Sequence, residues 1–122
     1  MMYTWDITPI GAPRLNRFDQ WKKRPRVLRY FEFRDAIAKF IEDTPIKEAT
    51  HIEVNFHIPM PRSWSKKKKA LLCDTPHQQK PDIDNLVKAL LDSIHRGGDD
   101  SKVYSIIARK YWSIEGKIRM TI

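Results

Sequence analysis

The sequence predicts an α/β fold of the α+β type: a single small domain with a mixed β-sheet and two helices packed on one face. Three observations carry this. Residues 50–60, "THIEVNFHIPM", alternate, with Ile52, Val54, Phe56 and Ile58 on one side and His51, Glu53, Asn55 and His57 on the other. That period of two marks a half-buried strand. Two other stretches, near 30–43 and 84–95, repeat apolar residues at helical spacing. The 122 residues suit one domain spanning 1–122, and 41% apolar content is enough for one core of modest size.

Taken in order, residues 2–8 are rich in aromatic and β-branched types and read as a first strand. "GAPRLNR" (11–17) is a turn-rich loop. In "WKKRPRVLRY" (21–30) basic side chains interleave with Trp21 and Tyr30, and Pro25 is expected to break any helix there. "YFEFRDAIAKFIED" sets Phe33, Ile37, Phe40 and Ile41 at helical spacing, giving a helix that ends before Pro45. After the central strand, residues 61–80 are long, polar and basic. Ser65 is placed to cap a short helix through Leu72, against the mutual repulsion of four lysines. A second helix spans 84–95, with Leu86, Val87, Leu90, Leu91 and Ile94 on its apolar face and Gly97 and Gly98 to stop it. "KVYSIIARKYW" (102–112) and "GKIRMTI" (116–122) are predicted to form a hairpin turning near Glu115 and Gly116.

Lysine and arginine outnumber aspartate and glutamate by 23 to 15, a net charge of +8. That excess favours an anionic partner, and nucleic acid is the commonest large polyanion. Cys73 is the sole cysteine, so no intrachain disulfide forms and a reducing compartment is expected. No cysteine-hydrolase signature surrounds it. The N-terminus lacks the basic and apolar regions of a signal peptide, and no apolar run reaches the length of a membrane span. A cytoplasmic protein with no membrane partner is expected.

The chemistry concentrates in "KPDIDNLVKALLDSI", residues 80–94. Asp84 falls where an N-cap is expected, just before the apolar periodicity. Asp82, two residues earlier, points the same way if the chain is extended up to the cap. Lys88 lies one turn beyond Asp84, and Asp92 continues that stripe. Capping and an i,i+4 ion pair explain these residues without any site, so the D-x-D pattern is weak by itself. A second acidic pair, Asp99 and Asp100, follows the helix. With the helix about 18 Å long at ~1.5 Å per residue, the second pair stands at its far end unless the loop folds over. Three carboxylates brought together would make an oxygen-rich site for Mg²⁺ or Mn²⁺. Such a site activates water against a phosphodiester while a lysine stabilises the developing charge.

The core K-P-D-x-D-N-L-x-K-x-x-x-D, followed by D-D-S-x-V, resembles the RusA-type Holliday junction resolvases of phages and prophages. "PMPRSWSKKKK" and "APRLNR" are similar to segments that members carry upstream. The resemblance runs over most of the chain. It implies a homodimeric, Mg²⁺-dependent endonuclease, with Mn²⁺ as a substitute and no small-molecule cofactor, that makes paired nicks across four-way or otherwise branched DNA. The family's essential acids correspond to Asp82, Asp84 and Asp100, and its catalytic lysine to Lys88; Asp99 and Asn85 lie within the motif, with Asp99 a further metal ligand. The link "HRGG" before the second acidic pair is shorter than in many members.

A two-fold substrate suits a two-fold protein. Phosphate contacts are expected from Arg14, Arg17, Lys22, Lys23, Arg24 and Arg26, from Arg62, Lys66, Lys67, Lys68 and Lys69, and from Lys80. Trp64, Trp21 and Tyr30 are candidates for stacking on unpaired bases, although packing is the simpler role for Trp21 and Tyr30. His77 and His95 are candidates to approach the metal or phosphate, although a polar surface position is the simpler role for each. Two other readings compete: a basic DNA-binding protein without catalysis, and a broader nuclease acting on flaps or forks.

Overall fold

The structure, a computed structural model, describes residues 1–14, 24–96 and 100–122. Strand β1 is Met2–Trp5 and helix α1 is Pro25–Ile41. A 3₁₀ turn, Pro45–Glu48, leads into β2, His51–Pro59. Helix α2 is Lys66–Leu72 and α3 is Ile83–Ile94. Strands β3, Ser105–Ser113, and β4, Lys117–Thr121, close the chain. The four strands make one mixed sheet in the order β1-β4-β2-β3.

Central strand β2 follows the alternation in its sequence. Ile52, Val54, Phe56 and Ile58 are buried against α1 and α3, which lie on one face of the sheet. Helix α1 presents Tyr30, Phe33, Ile37 and Ile41 to that core, and α3 presents Leu86, Ala89, Leu90 and Ile94. Counted from the first of each set, the residues stand at +3, +7 and +11 in α1 and at +3, +4 and +8 in α3, the spacing of one helical face. Trp5, Ile118 and Met120 complete the cluster from β1 and β4. The opposite sheet face carries Asn55 beside Arg119 and His57 beside Lys117.

Three expectations about local structure are corrected. Pro25 does not break a helix but opens α1, at the first helical turn, where its missing N–H costs nothing. Phe40 leaves the core face; it is 39% exposed and stacks on Trp5 at 5.7 Å between ring centroids. The first strand ends at Trp5 and not at residue 8. The short helix that Ser65 was placed to cap is formed: Ser65 accepts a hydrogen bond from the Lys68 N–H, and α2 runs to Leu72 despite its four lysines. That adds a third helix to the two expected. The stop signal at Gly97 and Gly98 lies outside the described residues.

The predicted hairpin is not formed. β3 runs parallel to β2, while β4 crosses the end of β2 and inserts between β2 and β1, antiparallel to both. The outer edge of β3 is already occupied at its C-terminal end, where a hairpin would begin. Asp74 N–H donates to the Trp112 carbonyl, Trp112 N–H to the Thr75 carbonyl and His77 N–H to the Lys110 carbonyl. A strand there would also leave Ile118 and Met120 at the margin of the core, whereas between β1 and β2 both are fully buried. Gly116 allows the crossing: a Cβ there would lie 2.5 Å from Thr8 Oγ1 and 2.7 Å from Thr8 Cα.

Candidate functional site

Helix α3 begins one residue earlier than its periodicity suggests, which changes the roles of the two acids. Asp82, in extended conformation, is the N-cap, and Asp84 sits in the first turn. Asp82 makes no side-chain cap hydrogen bond, so its carboxylate is not spent on the helix end. Its carbonyl accepts from the Leu86 N–H. Asp84 Oδ1 accepts from the Asn85 N–H at 3.0 Å. Both acids sit at the positive end of the helix dipole, where negative charge is favoured.

The two carboxylates, both exposed, share a cleft of about 660 Å³ with His77, Gln78, Lys80 and Lys110. The turn before Asp82 contains a cis Lys80–Pro81 peptide bond. Lys110, from β3, holds that turn by donating to the Gln79 carbonyl at 2.6 Å and the Pro81 carbonyl at 2.9 Å. On the other side, Gly11 packs against Pro81, where a Cβ would stand 3.1 Å from the proline Cβ. Ala12 N–H donates to the Asn85 carbonyl. The N-terminal loop is thereby fastened to the start of α3, and Arg26 and Lys80 join Asp82 and Asn85 in an adjoining cleft.

Lys88 lies one turn along α3, in a cleft of about 610 Å³ with Arg14, Arg26, Tyr30, Asn85 and Asp92. Its ammonium donates to Asp92 Oδ2 at 3.3 Å, and the Tyr30 hydroxyl donates to the same oxygen at 3.2 Å. Burial, and then the Asp92 charge and hydrogen bond, push the Tyr30 phenol up to about 12. Tyr30 is therefore a packed side chain anchoring Asp92, and Asp92 steadies Lys88.

Asp100 is not brought to these acids. Its carbonyl accepts from the Val103 N–H, and Tyr104 N–H donates to the Thr50 carbonyl at the start of β2. That places Asp100 beyond the other end of α3, a helix about 18 Å long at ~1.5 Å per residue. Among the described residues, no group of three or more histidine, cysteine or acidic side chains forms a metal-binding cluster. Asp99, Arg17, Lys22, Lys23 and Trp21 lie outside the described residues. Of the expected phosphate-binding residues, Arg14, Arg26, Arg62, Lys66, Lys67, Lys68 and Lys80 are exposed; Arg24 and Lys69 are half-buried.

Two exposed carboxylates and a neighbouring amide form a hard, oxygen-bearing donor set. Mg²⁺ is commonly held by one or two carboxylates, with waters and substrate phosphate supplying its other ligands. The residues at the head of α3 fit that requirement.

Comparison with known families adds the deciding observation. The family model described as Endodeoxyribonuclease RusA matches residues 6–122. The chain belongs to the RusA endodeoxyribonuclease family. No curated protein matches it. The family match covers every element from the N-terminal loop to β4, so the acid-bearing turn and the strand supplying Lys110 both lie within the RusA domain.

Sequence reasoning missed Lys110 of the RusA cleft and misjudged the burial of His77. Lys110 sits in a strand whose local pattern says nothing of the turn it binds. His77 was expected on the polar surface, yet it is 3% exposed, its ring 4.3 Å from that of Trp112. His95 is buried as well. Burial, with Lys110 adding to it, holds the His77 pKa below its ordinary 6.5. Burial, followed by Arg119 and Lys117, does the same to His57. A neutral histidine in the fold takes up a proton more readily once unfolded, so this contribution is complete above pH 6.5 and is lost as pH falls below it. The urea midpoint is expected to fall between about pH 7.5 and about pH 5.5, and His77→Gln to flatten that dependence. A midpoint unchanged over this range would contradict the assignment.

The described residues contain no helix long and apolar enough to cross a membrane.

Proposed function

We propose that this RusA-family chain is a Mg²⁺-dependent, structure-specific endodeoxyribonuclease. It resolves four-way DNA junctions by paired symmetric nicks, acting as a homodimer in recombination and repair. The observation that carries this reading is the pair Asp82 and Asp84, exposed in one cleft, with Asp82 unspent as a helix cap.

Asp82 and Asp84 would hold the metal. When bound, Mg²⁺ polarises the phosphate and lowers the pKa of an attacking water. The chain's own residues position the strand. Lys80 and Arg26 flank Asp82 and offset the repulsion between DNA phosphates and the carboxylates. Lys110 keeps the acid-bearing turn in place through its two carbonyl contacts. Lys88 supplies positive charge one turn away, held in orientation by Asp92. The N-terminus of α3 adds a fixed partial positive charge that favours an anion. With Asp100 at the opposite end of α3, a site using all three acids closes only when a second copy supplies it, which is one reason for the homodimer in this reading.

Incubation with a synthetic four-way junction, a flap and a linear duplex, with and without Mg²⁺, tests the proposal. Symmetric nicks in the junction that depend on Mg²⁺ are expected. Junction binding without Mg²⁺-dependent nicking would overturn the enzymatic reading, and faster cutting of the flap would shift the substrate to forks and flaps. Binding is expected to weaken steeply with salt, as phosphate contacts release counterions.

A further inference from the structure

A further cleft shares a wall with the acidic one, and the chemistry above makes no use of it. Its volume is about 440 Å³, and it is lined by Trp64, Lys68, Leu72, Thr75, Gln78 and Trp112, among others. Trp64 stands just before α2, its backbone N–H bonded to the Pro61 carbonyl. Its ring meets Trp112 at 4.8 Å between centroids and 57° between planes. Trp112 is fixed from beneath: it is 7% exposed, its other ring neighbour is His77, and its backbone is bonded to both Asp74 and Thr75. Trp64 is half-buried. The Lys68 ammonium lies 4.1 Å from the Trp64 ring centroid. Gln78 and Gln79 line this cleft and the acidic cleft alike, so the two share a wall.

These features match the chemistry of a nucleobase. A base offers a flat π-face to an indole, and its edge offers donors and acceptors to an amide such as Gln78. The phosphates on either side meet a run of lysines, Lys66 to Lys69, on the helix behind Trp64. Lys68 now covers the indole, but an exposed cation–π contact is weaker than base stacking, so a base can displace it toward phosphate.

We propose that the cleft lined by Trp64, Lys68, Gln78 and Trp112 takes one unpaired nucleobase of the DNA strand whose neighbouring phosphate lies at Asp82 and Asp84, with the base stacking on the Trp64 face that Lys68 now covers and Trp112 bracing the indole. The proposal rests on the nuclease reading. It gives the protein a reason to prefer branched DNA, because bases leave the stack at little cost only where pairing is already interrupted.

The test uses four-way junctions in which one abasic nucleotide is moved through the positions around the nick, with binding measured in EDTA. Trp64→Ala is expected to weaken binding to the intact junction about tenfold. One abasic position should weaken wild-type binding by a similar factor, and Trp64→Ala should lose nothing more on that junction. Trp64→Phe keeps a flat ring and should stay within about threefold of wild type. The proposal is overturned if no abasic position weakens wild-type binding, or if the losses from the abasic site and Trp64→Ala multiply independently. Nicking of the intact junction in Mg²⁺ separates the two readings. Nicking without coupling removes the base cleft and leaves the nuclease. Coupling without nicking removes the nuclease and leaves a base-binding protein.

Discussion

Asp82→Asn is expected to lower the rate of Mg²⁺-dependent nicking by at least about a hundredfold while leaving the protein folded and bound to junctions. Asparagine is as good an N-cap as aspartate, and Asp82 makes no cap hydrogen bond that the change would remove. The backbone hydrogen bond from Leu86 to the Asp82 carbonyl is untouched. The substitution therefore removes a charge and one potential metal ligand and little else. Binding should hold or tighten slightly, because one carboxylate no longer faces phosphate across the cleft. Nicking rates on a labelled junction and a gel-shift titration measure the two effects separately. Parallel loss of cutting and binding would make Asp82 a structural residue.

Phe56→Ala is expected to cost about 3–5 kcal/mol of stability, against a total of about 5–15 for a domain of this kind. Phe56 is 1% exposed and lies on β2, the strand flanked by β3 and β4. Its side chain belongs to the same cluster as Ile37, Leu86 and Leu90, so truncation leaves a void that helices on one side and the sheet on the other cannot both fill. Chemical denaturation of wild type and variant checks this. A loss below about 1 kcal/mol would mean that the helices collapse onto the sheet more freely than the packing implies.

The parts of the fold legible in the sequence are those written in a local period. β2 has a period of two, and α3 carries five apolar residues on one stripe, so the core face of each could be read directly. The Ser65 cap was legible too, although the neighbouring lysines argued against the helix it starts. What could not be read depends on contacts far apart in the chain. A three-residue link from Ser113 to Lys117 looks like a hairpin turn, and only the segment 74–77, already bonded to β3, shows why β4 goes elsewhere. Pro25 is ambiguous by nature, since the same ring that breaks a helix interior is well suited to its first turn.

The candidate site divides in the same way. Asp82, Asp84 and Lys88 share one helix start, and their spacing carries the signal. Lys110 and His77 reach the cleft only because β3 lies beside the acid-bearing turn, and neither has a local pattern that announces it. Asp100 shows the limit most clearly. It stands in a motif with the other acids, yet the helix between them keeps it beyond the far end of α3.

The placement of β4 also bears on how the chain is made. In the sheet order β1-β4-β2-β3, the first strand pairs only with the last, Met2 opposite Thr121 and Trp5 opposite Ile118. Until residues 117–121 leave the ribosome, β1 has no partner and the inner edge of β2 stays open. Such long-range pairing folds slowly. A product cut short before Lys117 would expose an unpaired edge beside Trp5, Val54 and Phe56, and would be recognised by chaperones and proteases as incomplete.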